Sequence, residues 1–126
     1  MIRAQIHDKF KVFVGDLAPD KTIGKLADEV ADFAKKAKIA AKSIGVEYLE
    51  SKGKLLITLG YKEGEEPYHI RLHSVHLGKI DALAGDFAKL EQAMAKASSK
   101  FKSIICHELY LTGEDDFVMV FMTHHA

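Results

Sequence analysis

The segment Phe117-Val118-Met119-Val120-Phe121-Met122 is apolar at every position. Successive side chains of an extended chain point to opposite faces, so Phe117, Met119 and Phe121 line one side and Val118, Val120 and Met122 the other. A strand apolar on both sides is covered on both sides. It is the second half of a hairpin. Gly113-Glu114-Asp115-Asp116 supplies the turn, and Ser103–Thr112 sets Ile104, Cys106 and Tyr110 against Ile105, Leu109 and Leu111.

Upstream of the hairpin, Ile80, Leu83, Phe87, Leu90, Met94 and Ala97 recur at helical spacing, which predicts an amphipathic helix over 79–98 with Gly85 inside it. Residues 68–77 and 54–61 read as strands on either side of the polar loop 63–67, and 46–50 as a shorter one. Before these, Ile23, Leu26, Ala27, Val30, Ala34, Ala37 and Ala41 mark a first helix of roughly 20 residues, with Asp20 as its N-cap and Gly45 as its stop. The chain opens with Ile2, Ala4, Ile6, Phe10, Val12 and Val14 on one parity and Arg3, Gln5, His7, Lys9 and Lys11 on the other. That alternation predicts a strand over 2–14 with its apolar parity buried.

The order is β-α-β-β-β-α-β-β. Strands joined by short turns pair antiparallel. Two amphipathic helices on one face of such a sheet give an α+β, two-layer sandwich. The 126 residues carry no linker or repeat and make one domain, 1–126.

Two helices on one face leave the second face of the hairpin to the N-terminal strand folding across, a second copy of the chain, or a ligand or partner; the alternative is that these are central strands covered within the monomer. A homodimer covers that face with a single self-complementary patch. The expected function is therefore a non-enzymatic binding or interaction module that acts as a homodimer through its C-terminal hairpin. Arg71, Cys106, Glu108, Tyr110, Met119 and Phe121 are the candidate interface or ligand residues, and a protein or small molecule is the other candidate cover.

Charge and composition exclude several classes. Lys+Arg and Asp+Glu are equal at 18 each, without the basic excess that nucleic-acid binding draws on. No apolar run nears the ~20 residues of a membrane span. One cysteine rules out an intrachain disulfide, and the N-terminal residues lack a signal-like apolar core, so a reducing cytoplasm is expected. There is no Gly-rich phosphate motif and no cysteine cluster, so no cofactor is indicated.

Two constellations could carry chemistry. His69, His73 and His76 follow the spacing H-x-x-x-H-x-x-H. On a helix they share one face and could take zinc, copper or iron. On a strand His69 and His73 lie ~13 Å apart and His76 points the other way. Pro67 and Gly78 bound the segment and favour the strand. The rival function, a small metal-dependent or His/Glu-based enzyme, needs these histidines to converge. The second constellation, Cys106-His107-Glu108, sets a thiol beside an imidazole. On a strand His107 faces away from Cys106. Glu108 shares the thiol's face, raises its pKa and, if buried, needs a partner such as Arg71.

Overall fold

The computed structural model describes residues 7–83 and 87–125. Ile2, Ala4, Ile6 and Gly85 lie outside the described residues. The elements are β1 (Lys9–Asp16), α1 (Leu26–Ala37), β2 (Ala40–Leu49), β3 (Lys54–Lys62), β4 (His69–Lys79), α2 (Ile80–Leu83), α3 (Phe87–Ser98), β5 (Ile104–Leu111) and β6 (Asp116–His125). The α+β class and the element order hold, with α2 and α3 standing where one second helix was expected. The strands form two antiparallel three-stranded sheets, β1-β3-β2 and β4-β6-β5. β6 is central in its sheet, as its two apolar parities demand. β2 of the first sheet runs close to β5 of the second. Among the described residues no helix is long and apolar enough to cross a membrane.

The first helix is shorter than its periodicity suggests. Lys38 takes a left-handed conformation (φ 53°, ψ 57°), and its N–H bonds the Ala34 carbonyl, which closes α1. Ile39, Ala40 and Ala41 are buried, and the last two already belong to β2. Apolar residues at helical spacing thus continue into a strand, and Gly45 sits inside that strand and does not end a helix. Asp20 caps a turn and not α1: its Oδ1 accepts from the Thr22 N–H at 3.2 Å and from the Thr22 hydroxyl at 2.5 Å.

The helices do not share one face. Val118, Val120 and Met122 of β6 pack with Leu26, Val30 and Ala34 of α1 in the main core. Met119 and Phe121 point the other way and pack with Ala97, Met94 and Phe101 at the end of α3. One helix therefore covers each side of the second sheet. Met119 is 4% and Phe121 0% exposed within a single chain. The hairpin's double apolar character is satisfied internally, and no partner is needed to cover it.

β1 is turned over relative to the expectation. Phe10, Val12 and Val14 face solvent, exposed by 66%, 54% and 52%, while Phe13 of the opposite parity joins the core. The packing of α1 explains the choice. Gly15 lies on the core side, where an added Cβ would come within 3.0 Å of the Leu26 side chain. Phe13 meets Phe33 edge-on at 5.8 Å, and Phe33 meets Tyr61 at 5.7 Å. Lys11 lays its stem along the same side with Nζ 5.7 Å from the Phe33 ring centre. Aromatic packing on α1 fixes Phe13 inward, and period two then turns Val12 and Val14 outward. Phe87, expected on the buried stripe of the second helix, is also exposed, by 75%.

Candidate functional site

β4 settles the histidines. It is a strand, and its register places His69, Arg71 and His73 opposite His125, Thr123 and Phe121, on the α3 side of the sheet. His76 pairs with Val118 on the other side. His69 is exposed. His73 stacks on Phe101 at 4.6 Å and its Nε2 lies 3.2 Å from the Thr123 hydroxyl. His76 Nε2 donates to Asp116 Oδ1 at 2.9 Å. Among the described residues no three His, Cys, Asp or Glu side chains come together as a metal site. The groove beside β4, about 730 Å³ in volume, has Asp28 and Asp32 of α1 on one wall and His69, Arg71 and His73 on the other. These walls carry both signs of charge, and no constellation converges inside.

The Cys106 region follows strand geometry. Cys106, Glu108 and Tyr110 oppose Met122, Val120 and Val118 on the main-core side, and His107 faces away, exposed. Burial pushes the Cys106 thiol up, and the Glu108 carboxylate adds to that rise against a backbone contact from Ile44. A raised thiol pKa is opposite to what a nucleophile needs. The Glu108–Arg71 pair does not form. Arg71 is on the opposite face, with β6 between their strands. Tyr110 is buried, and its hydroxyl donates to the Lys21 carbonyl at 2.9 Å.

Asp116 is a polar hub that pattern reading missed, since it stands in a turn of ordinary composition. Its carboxylate is nearly covered and accepts from His76 and, at 3.3 Å, from Lys79 Nζ. Its own N–H donates to the Thr112 hydroxyl at 3.2 Å. The His76 hydrogen bond, and then that of Lys79, hold this carboxyl below its ordinary pKa. Asp–His pairs can orient a general base, but this one ties the tip of the β5–β6 hairpin to the end of β4.

The outer face of the first sheet is the feature that stands apart. Register sets four rows across β1, β3 and β2: Phe10–Gly60–Ser43, Val12–Thr58–Gly45, Val14–Leu56–Glu47 and Asp16–Lys54–Leu49. A Lys54–Asp16 ion pair of 2.6 Å closes one end. At the other end the His7 ring meets Phe10 edge-on at 5.5 Å, and its Nε2 lies 3.3 Å from the Ser43 hydroxyl. Between them runs an apolar ridge on an edge strand, which nothing among the described residues covers. Phe13, the one apolar residue on the wrong parity of β1, was the sequence signal for this reversal. No protein-family model matches the chain, and neither a curated protein nor a solved structure matches it.

Proposed function

We propose that this chain is a non-enzymatic interaction module that acts as a homodimer, with the outer face of its first sheet as the contact. One observation carries the reading: Phe10, Val12 and Val14 stand together, each more than half exposed, on one face of the edge strand β1. Single exposed apolar residues are common, but an aligned group of large ones on a sheet face favours a contact that removes it from water. The hairpin residues Met119 and Phe121 cannot serve this role while α3 covers them, so the contact moves to the other sheet. Equal positive and negative charge leaves little long-range repulsion between copies. A single half-buried cysteine suits a reducing cytoplasm.

The test is the mass in solution by size-exclusion chromatography with light scattering, at micromolar concentration. The reading expects a dimer mass for the natural chain and a monomer mass for Val12→Lys, with the two circular dichroism spectra superimposable. A monomer mass for the natural chain removes the proposal.

A further inference from the structure

We infer that the groove between β4 and α1 takes an extended peptide segment of a partner, which adds as a further strand on the edge of β4, with basic side chains on one parity and acidic ones on the other. The site lies on the second sheet and stands apart from the proposed dimer contact.

β4 ends its sheet in the order β4-β6-β5, and among the described residues no strand pairs with its other side. The edge strand of an antiparallel sheet turns the N–H and C=O groups of alternate residues outward. The groove of about 730 Å³ lies along that edge, because five consecutive residues, His69–His73, line it. They include both parities: Ile70 and Leu72 belong to the main core, and His69, Arg71 and His73 face the α3 side. A cavity on one face of a strand meets alternate residues, so a cavity that meets them all runs beside the strand.

The opposite wall is α1. The Ile23 N–H donates to the Ser74 hydroxyl at 3.1 Å, which sets the start of the helix beside β4. Ala27 and Ala31 face the groove and are too short to fill it, and Asp28, Asp32 and Lys35 stand beside them. From Asp28 to Lys35 the helix rises about 10 Å. His69 to His73 span about 13 Å. Two walls of similar length thus hold about four extended residues. In strand addition the main chain supplies affinity, and the side chains on either parity supply specificity.

Charge chooses the occupant. Asp28 suits the first turn of α1, where the helix dipole favours an acid, but Asp32 stands a turn further on, beyond that effect. Among the described residues neither aspartate forms an ion pair, and neither does Arg71. An added strand sends one parity over Ile70 and Leu72 towards α1 and the other beside His69 and Arg71. Lysine or arginine on the first parity meets Asp28 and Asp32, and glutamate or aspartate on the second meets Arg71. A second copy fits badly. Pairing β4 with β4 about a two-fold sets Asp28 and Asp32 of both chains on one side of the junction and Arg71 of both on the other, like against like.

Two acetylated, amidated peptides of one composition test the inference by NMR titration of the isotope-labelled full chain. Thr-Lys-Glu-Lys-Glu-Lys-Thr alternates, and Thr-Lys-Lys-Glu-Glu-Lys-Thr does not. The alternating peptide should shift the amides of His69–His73 saturably and bind several-fold more tightly than the other. Alternate amides of that run should exchange more slowly with solvent once it is bound. Asp28→Asn combined with Asp32→Asn, both at exposed positions where the fold should hold, should remove most of that preference. No saturable shift at millimolar peptide, equal binding of the two peptides, or shifts without slower exchange overturns the proposal. Movement of the same amides with protein concentration alone also overturns it, since a second copy is then the occupant.

Discussion

Phe121 and Met122 are consecutive on β6, both are fully buried, and they belong to separate apolar clusters. Phe121 lies under α3 with Ala97 and Phe101, its ring 5.1 Å from that of Phe101. Met122 lies in the main core with Leu72 and the residues of α1. A single strand thus serves as the wall between two cores, and each core has its own helix.

Truncation on either side should therefore be severe. Phe121→Ala should cost about 3–5 kcal/mol and Met122→Ala about 2–5 kcal/mol in urea unfolding. The two need not add, since both residues brace the same strand. Phe121→Lys should unfold the chain, because it buries a charge without a partner. The contrast with Val12→Lys is the check on the fold's sidedness. If Phe121→Lys keeps a native melting temperature, α3 does not cover that face.

Asp116 should govern acid stability. His76 and Lys79 hold its carboxyl below the ordinary value of 3.8. The unfolded chain therefore takes up the proton first as pH falls. The stabilisation is complete above the unfolded value and is lost as pH drops through the lower folded one. Asp116→Asn should lower the melting temperature at neutral pH and flatten its decline below pH ~4, where a free carboxylate would begin to protonate. Melts from neutral pH into that range would show it. An unchanged acid limb would mean that the decline comes from other carboxylates, Glu114 beside Lys21 among them.

The legible part of the fold was whatever a strong period carried. The double-sided apolar run at 117–122 showed a strand covered on both faces, and β6 is one, although the cover comes from α1 and α3 of the same chain and not from a second copy. The strand at 68–77 disarmed the histidine pattern, because alternation on β4 sends His76 to the face opposite His69 and His73. The illegible part lay where two readings share a period or where a side is chosen by a distant contact. Ala37, Ala40 and Ala41 suit a helix or a buried strand equally, and the left-handed Lys38 divides them. Alternation in β1 shows two sides without saying which is inside. Phe33 on α1, more than a dozen residues further on, makes that choice by holding Phe13. The same holds for the hairpin: its apolar surplus was visible, but the fact that α3 crosses to the far side of the sheet and buries Met119 and Phe121 was not.

Tyr110 should report the core at alkaline pH. Burial above all, with the Asp20 charge in support, pushes its phenol far above the ordinary value of 10.0. In the unfolded chain the phenol ionises near that ordinary value, while the native one keeps its proton. Stability should therefore fall as pH rises beyond about 10, since the native state then binds more protons. Ultraviolet titration should find that Tyr110 ionises only as the fold is lost, with Tyr68, whose phenol burial also pushes up, lagging behind the ordinary value. Tyr110→Phe should remove that alkaline loss. It should cost about 1 kcal/mol at neutral pH, the worth of its hydrogen bond to the Lys21 carbonyl. Four tyrosines titrating together near the ordinary value would contradict the buried position.

Lys38 offers a gain in stability. It closes α1 with φ 53° and ψ 57°, a left-handed conformation that costs a side chain with a Cβ and costs glycine nothing. Its side chain is exposed, and no ion pair involving it forms among the described residues. Lys38→Gly should therefore stabilise the chain by about 1 kcal/mol, the usual penalty for a non-glycine residue held there. The gain is reduced by the extra freedom glycine brings to the unfolded chain. Lys38→Ala keeps the Cβ and should bring no such gain. Paired urea titrations of the two variants test the boundary between α1 and β2. If alanine stabilises as much as glycine, position 38 is helical and the first helix runs on, as its alanine spacing alone would suggest.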